Sequence, residues 1–245
     1  MAGSTFASRS YRDAAVVLRT QQLGEADRII TLLTRGNGLV RAVAKGVRRT
    51  SSKFGATLEP FMVADVQLVH GRSLDIITQA VSRGTYGSQI VADYDKYRAA
   101  AIMAEATERL TDADADGTAG QFALLHGALS ALARSVHPPD LVLHSHLLRA
   151  MSLAGWGISW EACASCGRPG PQESFHPAWG GPLCGDCRAP GALSTSRAVV
   201  GLLAALQAGD WERTRAADPT SRHDAGDVVV AHLQHHLERR LASLG

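Results

Sequence analysis

Apolar residues come in short runs at the start of the chain and in a helical period further along. Runs at 14–18 (AAVVL), 28–34 (RIITLLT), 39–45 (LVRAVAK), 61–69 (FMVADVQLV) and 74–80 (LDIITQA) have the length and β-branched content of strands. Gly36, Asn37 and Gly38 separate the second run from the third and supply residues that accept positive φ, the signal of a hairpin; residues 70–73 (HGRS) make a second turn. Five strands with no helical pattern among the first four predict a small closed or partly closed barrel, because closure removes exposed sheet edges. From residue 92 the period changes, and helices are expected over 93–110, 118–134, 141–154, 194–208 and 227–244, with breaks at Pro138, Pro139, Gly155 and Gly209.

This pattern gives an α+β chain: a five-stranded barrel over 1–83, a mainly helical domain over 84–157 and 193–245, and an insertion over 158–192 too rich in proline and glycine to continue either. The small five-stranded barrel that fits is the OB-fold, whose common ligand is single-stranded nucleic acid.

Charge sharpens that reading. The formal net charge of the 245 residues is only +2, but residues 1–83 hold 12 Lys and Arg against 6 Asp and Glu, while the remainder holds 13 against 17. The excess lies in the barrel, and most densely after its third strand. Lys45, Arg48, Arg49 and Lys53 place four cations in nine residues, KGVRRTSSK, which read as a mobile positive edge able to follow a phosphate backbone. Arg41, four residues before Lys45, extends it. A solvated charged loop that only keeps the protein soluble is the alternative. Rings are few here: Phe6, Tyr11, Phe54 and Phe61. Phe61 opens an apolar strand, which leaves Phe54 as the ring best placed to stack on a base. Binding is then expected to be mainly electrostatic and sensitive to salt.

The insertion carries the strongest local motif. Cys163 and Cys166 (CASC) and Cys184 and Cys187 (CGDC) are the only cysteines, with 17 residues between the pairs. Two tight C-x-x-C turns supply the tetrahedral sulfur shell that zinc prefers, so one structural zinc ion is expected, with no coordination position left open for catalysis. Disulfides would suit a secreted protein, yet the opening MAGSTFASRSYRDAA is polar, not an apolar leader. A redox pair would need a strand before the motif and a helix opening at it, whereas glycines precede both pairs.

Other constellations are weaker. Residues 112–117 (DADADG) begin like a calcium loop, but Ala123 stands where the bidentate glutamate belongs. His232, His235 and His236 have helical spacing and read as a polar helix face. His144 and His146 point to different sides of their helix. No phosphate-binding GxxxxGK[ST] loop, zinc deaminase signature or nucleophile with a recognisable base is present, so no enzymatic activity is expected. No apolar run approaches the ~20 residues of a membrane span.

The segment 11–53, YRDAAVVLRTQQLGEADRIITLLTRGNGLVRAVAKGVRRTSSK, followed by FGATLEPF and the late CASCG and CGDC, resembles the RecO family of bacterial recombination mediators in DNA repair. The resemblance runs in order over essentially the whole chain. It implies an OB-fold domain, a helical domain and a zinc element. It also implies binding of single- and double-stranded DNA, strand annealing without ATP and, with RecR, help in loading RecA onto strands coated with single-strand-binding protein. Residue by residue, it points to Cys163, Cys166, Cys184 and Cys187 as metal ligands and to Lys45, Arg48 and Arg49 as DNA contacts, with Arg28, Arg35, Arg41 and Lys53 as further candidates. The acidic tail of single-strand-binding protein would sit in the helical domain, and a cytoplasmic, nucleoid-associated location is expected. A zinc-containing, sequence-specific regulator of nucleic acid is the competing reading.

Overall fold

Five strands close on one another at the amino-terminal end: β1 (Ser10–Leu23), β2 (Asp27–Thr34), β3 (Gly38–Ala44), β4 (Val63–Val69) and β5 (Asp75–Gly84), in the order β1-β2-β3-β5-β4. All neighbours are antiparallel except β3 and β5, which meet through Ala42 opposite Asp75 and Val43 opposite Ile76. This closed five-stranded barrel is the OB-fold expected from the sequence. The computed structural model describes residues 10–84, 86–111, 118–237 and 241–244. Phe6 and residues 112–117, the calcium-like stretch, lie outside them.

Every second residue of these strands points inward, so Val17, Ile30, Leu32, Ala42, Val66 and Leu68 form one core. The opposite parity is also buried along part of β1 and β2: Val16, Leu18 and Leu33 are at most 4% exposed. Helices α2 (Tyr94–Leu110) and α3 (Thr118–Ala133) pack there, which is why RIITLLT is apolar throughout and does not alternate. A register shift between Val17 and Arg19 bends the long β1, letting its first half pair with β4 and its second half with β2. A short helix, α1 (Tyr86–Val91), joins barrel and helices and had no sequence signal.

Turn chemistry behaves as residue type dictates. Of the Gly36-Asn37-Gly38 trio only Gly38 takes positive φ, at 69°. Asp13 supplies the rest, accepting from the Gly36 N–H and the Asn37 amide. In the β4–β5 turn a Cβ on Gly71 would lie 1.9 Å from the Leu74 carbonyl oxygen, so only glycine fits.

The chain divides into two compact units, residues 1–134 and 135–245. In the second, α4 (Pro139–Leu153), α5 (Arg197–Ala208) and α7 (Pro219–Leu237) pack mutually, and α6 (Trp211–Thr214) leans on α5. Ser196 caps α5 through the Val199 N–H, and Gly209 ends it at φ +71°. One expectation is corrected here. The last helix starts at Pro219 and not at 227, because the polar stretch before Ala225 is its exposed first turns, with Asp218 accepting from Ser221. His144 and His146, two positions apart on α4, are both buried, because that helix is enclosed on nearly all sides. Gly226 lets α7 approach so closely that a Cβ there would sit 2.9 Å from the His144 ring.

The insertion folds as a small sheet of β6 (Ser174–His176), β7 (Gly181–Leu183) and β8 (Leu193–Ser194), in the order β7-β6-β8. It is not held by cysteines alone. Phe175 is 1% exposed, stacked on Trp160 and edge-on to His232 of α7, so the ribbon is anchored in the helical unit by an aromatic side chain. Among the described residues no helix is long and apolar enough to cross a membrane.

Candidate nucleic-acid interface and metal centre

The turn after β3 is ordered by its neighbours. Gly46, at φ +67°, donates its N–H to Asp27 Oδ1 at 2.7 Å, and the Arg48 N–H reaches the Ala26 carbonyl at 3.0 Å. The Arg48 guanidinium donates to the Glu25 carbonyl at 2.9 Å. Carbonyls hold this cation in place without cancelling its charge. Val47 faces the barrel core. The stretch is therefore a structured rim fastened to the β1–β2 turn, and not the mobile edge read from its glycine and serines. Lys45, Arg48 and Arg49 are all exposed on it.

The other candidates separate around this rim. Arg41 is exposed on β3. Arg28 is registered with Ala44, beside Lys45, but its guanidinium is engaged by Glu59 at 2.7 Å. Lys53 lies on the far side of the loop, donating to the Thr78 carbonyl at 2.8 Å, with its ammonium 5.2 Å from the Phe54 ring centre. Arg35 belongs elsewhere. It stands in the β2–β3 hairpin, about six residues or ~20 Å along the strand from the rim, and lines a groove of about 480 Å³ with Arg12 and Arg83. Phe54 is the clear correction. It is 2% exposed inside the barrel, because with Leu58 it fills the end left open between β3 and β4, and it cannot stack on a base.

The four cysteines converge. Their sulfurs all lie within 4.8 Å of one another, and Cys166 Sγ is 3.8 Å from Cys184 Sγ. Zinc–sulfur bonds of about 2.3 Å in a tetrahedron put sulfurs ~3.8 Å apart, so this set fits such an ion. None of the four is joined in a disulfide. Each pair turns tightly: the Gly167 N–H returns to the Cys163 carbonyl, and the Cys187 N–H to that of Cys184. Burial raises the Cys163 thiol, but N–H groups of Cys166, Cys184 and Ser165 outweigh it and bring it down to about 6. Cys187 is drawn down by the Ser165 hydroxyl and more strongly up by the surrounding thiols, ending at about 12. Four sulfurs this close cannot all ionise unless a cation sits among them. His176 is no fifth ligand, since its ring bonds the Ala178 N–H and the Pro190 carbonyl. Arg168 and Arg188, beside the cysteines, are occupied by Asp186 and Ser194.

Family comparison agrees with both halves of this description. The recombination protein O N-terminal model matches residues 8–86. The recombination protein O C-terminal model matches residues 91–245. The chain belongs to the recombination protein O family. Membership places it in DNA repair and recombination, in a mediator role, with the barrel as the family's OB-fold domain and the cysteine ribbon inside its carboxy-terminal domain. Sequence reasoning placed the β4–β5 turn of that OB-fold but gave no role to His70 and Arg72, which are exposed on it. It also missed that His232 is core and not a polar helix face: the ring is 1% exposed, its Nε2 3.2 Å from the Trp156 carbonyl. Counting aromatic letters hid the first, and histidine's usual place at surfaces hid the second. Among the described residues, no set of three or more metal-capable side chains other than the cysteines gathers to share an ion.

Proposed function

We propose that this chain binds single- and double-stranded DNA through the rim after β3, anneals complementary strands without hydrolysing a nucleotide and, with RecR, assists RecA in replacing single-strand-binding protein. The observation that carries the reading is the ordered turn bearing Lys45, Arg48 and Arg49 on the edge of an OB-fold barrel, continued by Arg41. Complementary strands repel through their phosphates. A surface that neutralises phosphates and leaves base edges free lowers the cost of encounter, and base pairing supplies the driving force. No group needs to exchange a proton or form a bond, and the protein acts as a binding surface and not as an enzyme.

Zinc fits the four thiolates as an architectural ion: four protein ligands close its coordination and leave the ribbon's fold as its contribution. The helical domain is where the acidic tail of single-strand-binding protein would dock. The test is an annealing assay with purified protein and complementary oligonucleotides without ATP, repeated on strands coated with single-strand-binding protein. Acceleration of bare-strand annealing, retained on coated strands, is the expected result. No acceleration, together with strong preference for one sequence over scrambled competitor, would establish a sequence-specific regulator instead.

A further inference from the structure

With Phe54 inside the barrel, the interface has no obvious ring for a base, yet at the β4–β5 turn an exposed ring, His70, stands on the partly buried Tyr11 of β1. His70, whose side chain is 60% exposed, lies stacked on Tyr11, with ring centres 4.6 Å apart and planes 24° from parallel. Asp75 fixes both. Its Oδ2 accepts the Tyr11 hydroxyl and lies 3.4 Å from His70 Nδ1, while its Oδ1 accepts the Gly71 N–H at 3.2 Å. One carboxylate thus orients the lower ring, the upper ring and the turn that carries it. Tyr11 packs on the barrel core, so the pair stands on a rigid base. The turn is also compact, with the Leu74 carbonyl oxygen occupying the place where a Cβ on Gly71 would sit.

We infer that the outer face of His70 is a nucleobase-stacking site, taking one unpaired base of a single strand. An imidazole with one face on a phenol and one edge on a carboxylate has a single face left to offer. Its orientation is settled before the ligand arrives, so little rotamer entropy is lost on binding. The surroundings suit the phosphates next to such a base. Arg72 is exposed in the same turn, and Arg41 precedes Ala42, the β3 residue registered with Asp75. The site rests on the reading of the barrel as DNA-binding and adds to it a preference: bases stacked inside a duplex cannot reach His70, so it serves single strands only.

The experiment compares the full-length wild type with His70→Ala and His70→Phe by fluorescence anisotropy, using a labelled thymidine oligonucleotide, an abasic oligonucleotide of equal length and a blunt duplex at one ionic strength. Base–aromatic stacking predicts that His70→Ala binds the thymidine strand about tenfold more weakly, while affinity for the abasic strand and the duplex stays the same. His70→Phe, which keeps a flat face, retains the wild-type order. Equal loss on all three probes, no loss on the thymidine strand, or a His70→Phe variant as weak as His70→Ala would each overturn the site. A wild type that binds none of the probes would refute the reading of the barrel itself, an outcome separate from failure of the stacking site.

Discussion

The barrel and the cysteine ribbon solve the same problem with different means. Ten or more inward side chains from five strands give the barrel a continuous apolar core, including Ile30, Leu32 and Leu68, each fully buried. The ribbon's own cluster is Cys163, Leu183 and Cys184 with Cys187 against it. A core of that size cannot offset the entropy of ordering some thirty residues. The barrel is held by burial and leaves the cations of its rim exposed. The ribbon instead brings four sulfurs together where a metal ion could tie it up.

Metal removal is therefore the sharpest way to break the comparison. Structural zinc in small thiolate sites contributes on the order of 10 kcal/mol of apparent folding free energy. Chelation, or Cys163→Ser, is expected to unfold the ribbon, seen as release of one zinc equivalent to a chromophoric indicator and loss of the near-ultraviolet signal of Trp160 and Trp179. Single-strand affinity at low salt should be kept, since the proposed DNA-binding rim lies on the barrel. If stripping the metal abolishes binding, the ribbon belongs to the interface.

Acid discriminates the two regions more gently. Burial lowers the His232 imidazole to about 4, with the Trp156 carbonyl opposing and His236 and His235 reinforcing. Its Nδ1 is buried without a partner, so a second proton would enter a buried site against Phe175 and His236. In the unfolded chain the ring titrates near 6.5. Between those values the unfolded state binds more protons, and stability falls as pH drops from about 6.5 toward 4. His232→Leu, melted by far-ultraviolet circular dichroism at pH 7 and pH 5, should show a smaller difference in Tm than wild type. An equal difference would move the acid sensitivity to other groups.

A third comparison separates charge from fold. Lys45→Ala, Arg48→Ala and Arg49→Ala combined should leave barrel stability nearly unchanged, because exposed cations contribute little to it. The slope of log affinity against log salt for a single strand should flatten by about two. An unaltered titration would put the DNA track elsewhere, with the groove of Arg12, Arg35 and Arg83 the next surface to test.

How legible each region was follows from what encodes it. The barrel was legible because strand period, turn residues and charge segregation are local: all five strands were foreseen, and the cysteine spacing alone implied the cluster of sulfurs. Contacts distant in sequence were not legible. Phe54 reads as an exposed loop ring until the barrel end that it fills is in view. His70 acquires meaning only through Tyr11, 59 positions earlier, and Asp75. The ribbon's anchor, Phe175 on His232, joins an insertion to a helix over fifty residues away. Arg35 and Arg48 look equivalent in a list of basic residues, but a hairpin places them at opposite ends of the same strand pair.

The smallest expected effect bears on Arg28, a candidate DNA contact that is also part of an ion pair. It pairs with Glu59 across the rim at 2.7 Å, with the side chains 27% and 48% exposed. A pair this accessible is worth less than about 1 kcal/mol, so Arg28→Ala should barely move the urea midpoint. Its charge is the informative part. While Glu59 holds the guanidinium, Arg28 releases few counterions from DNA, and Arg28→Ala should change the salt slope by much less than the ~0.7 per phosphate contact of a cation that is free to bind. Glu59→Gln removes the competing carboxylate and should steepen the slope by about that amount, making Arg28 a working member of the rim. If Glu59→Gln leaves the slope unchanged while Arg28→Ala flattens it, DNA already displaces Glu59 in the wild type, and the ion pair is a resting position of a DNA-contacting arginine.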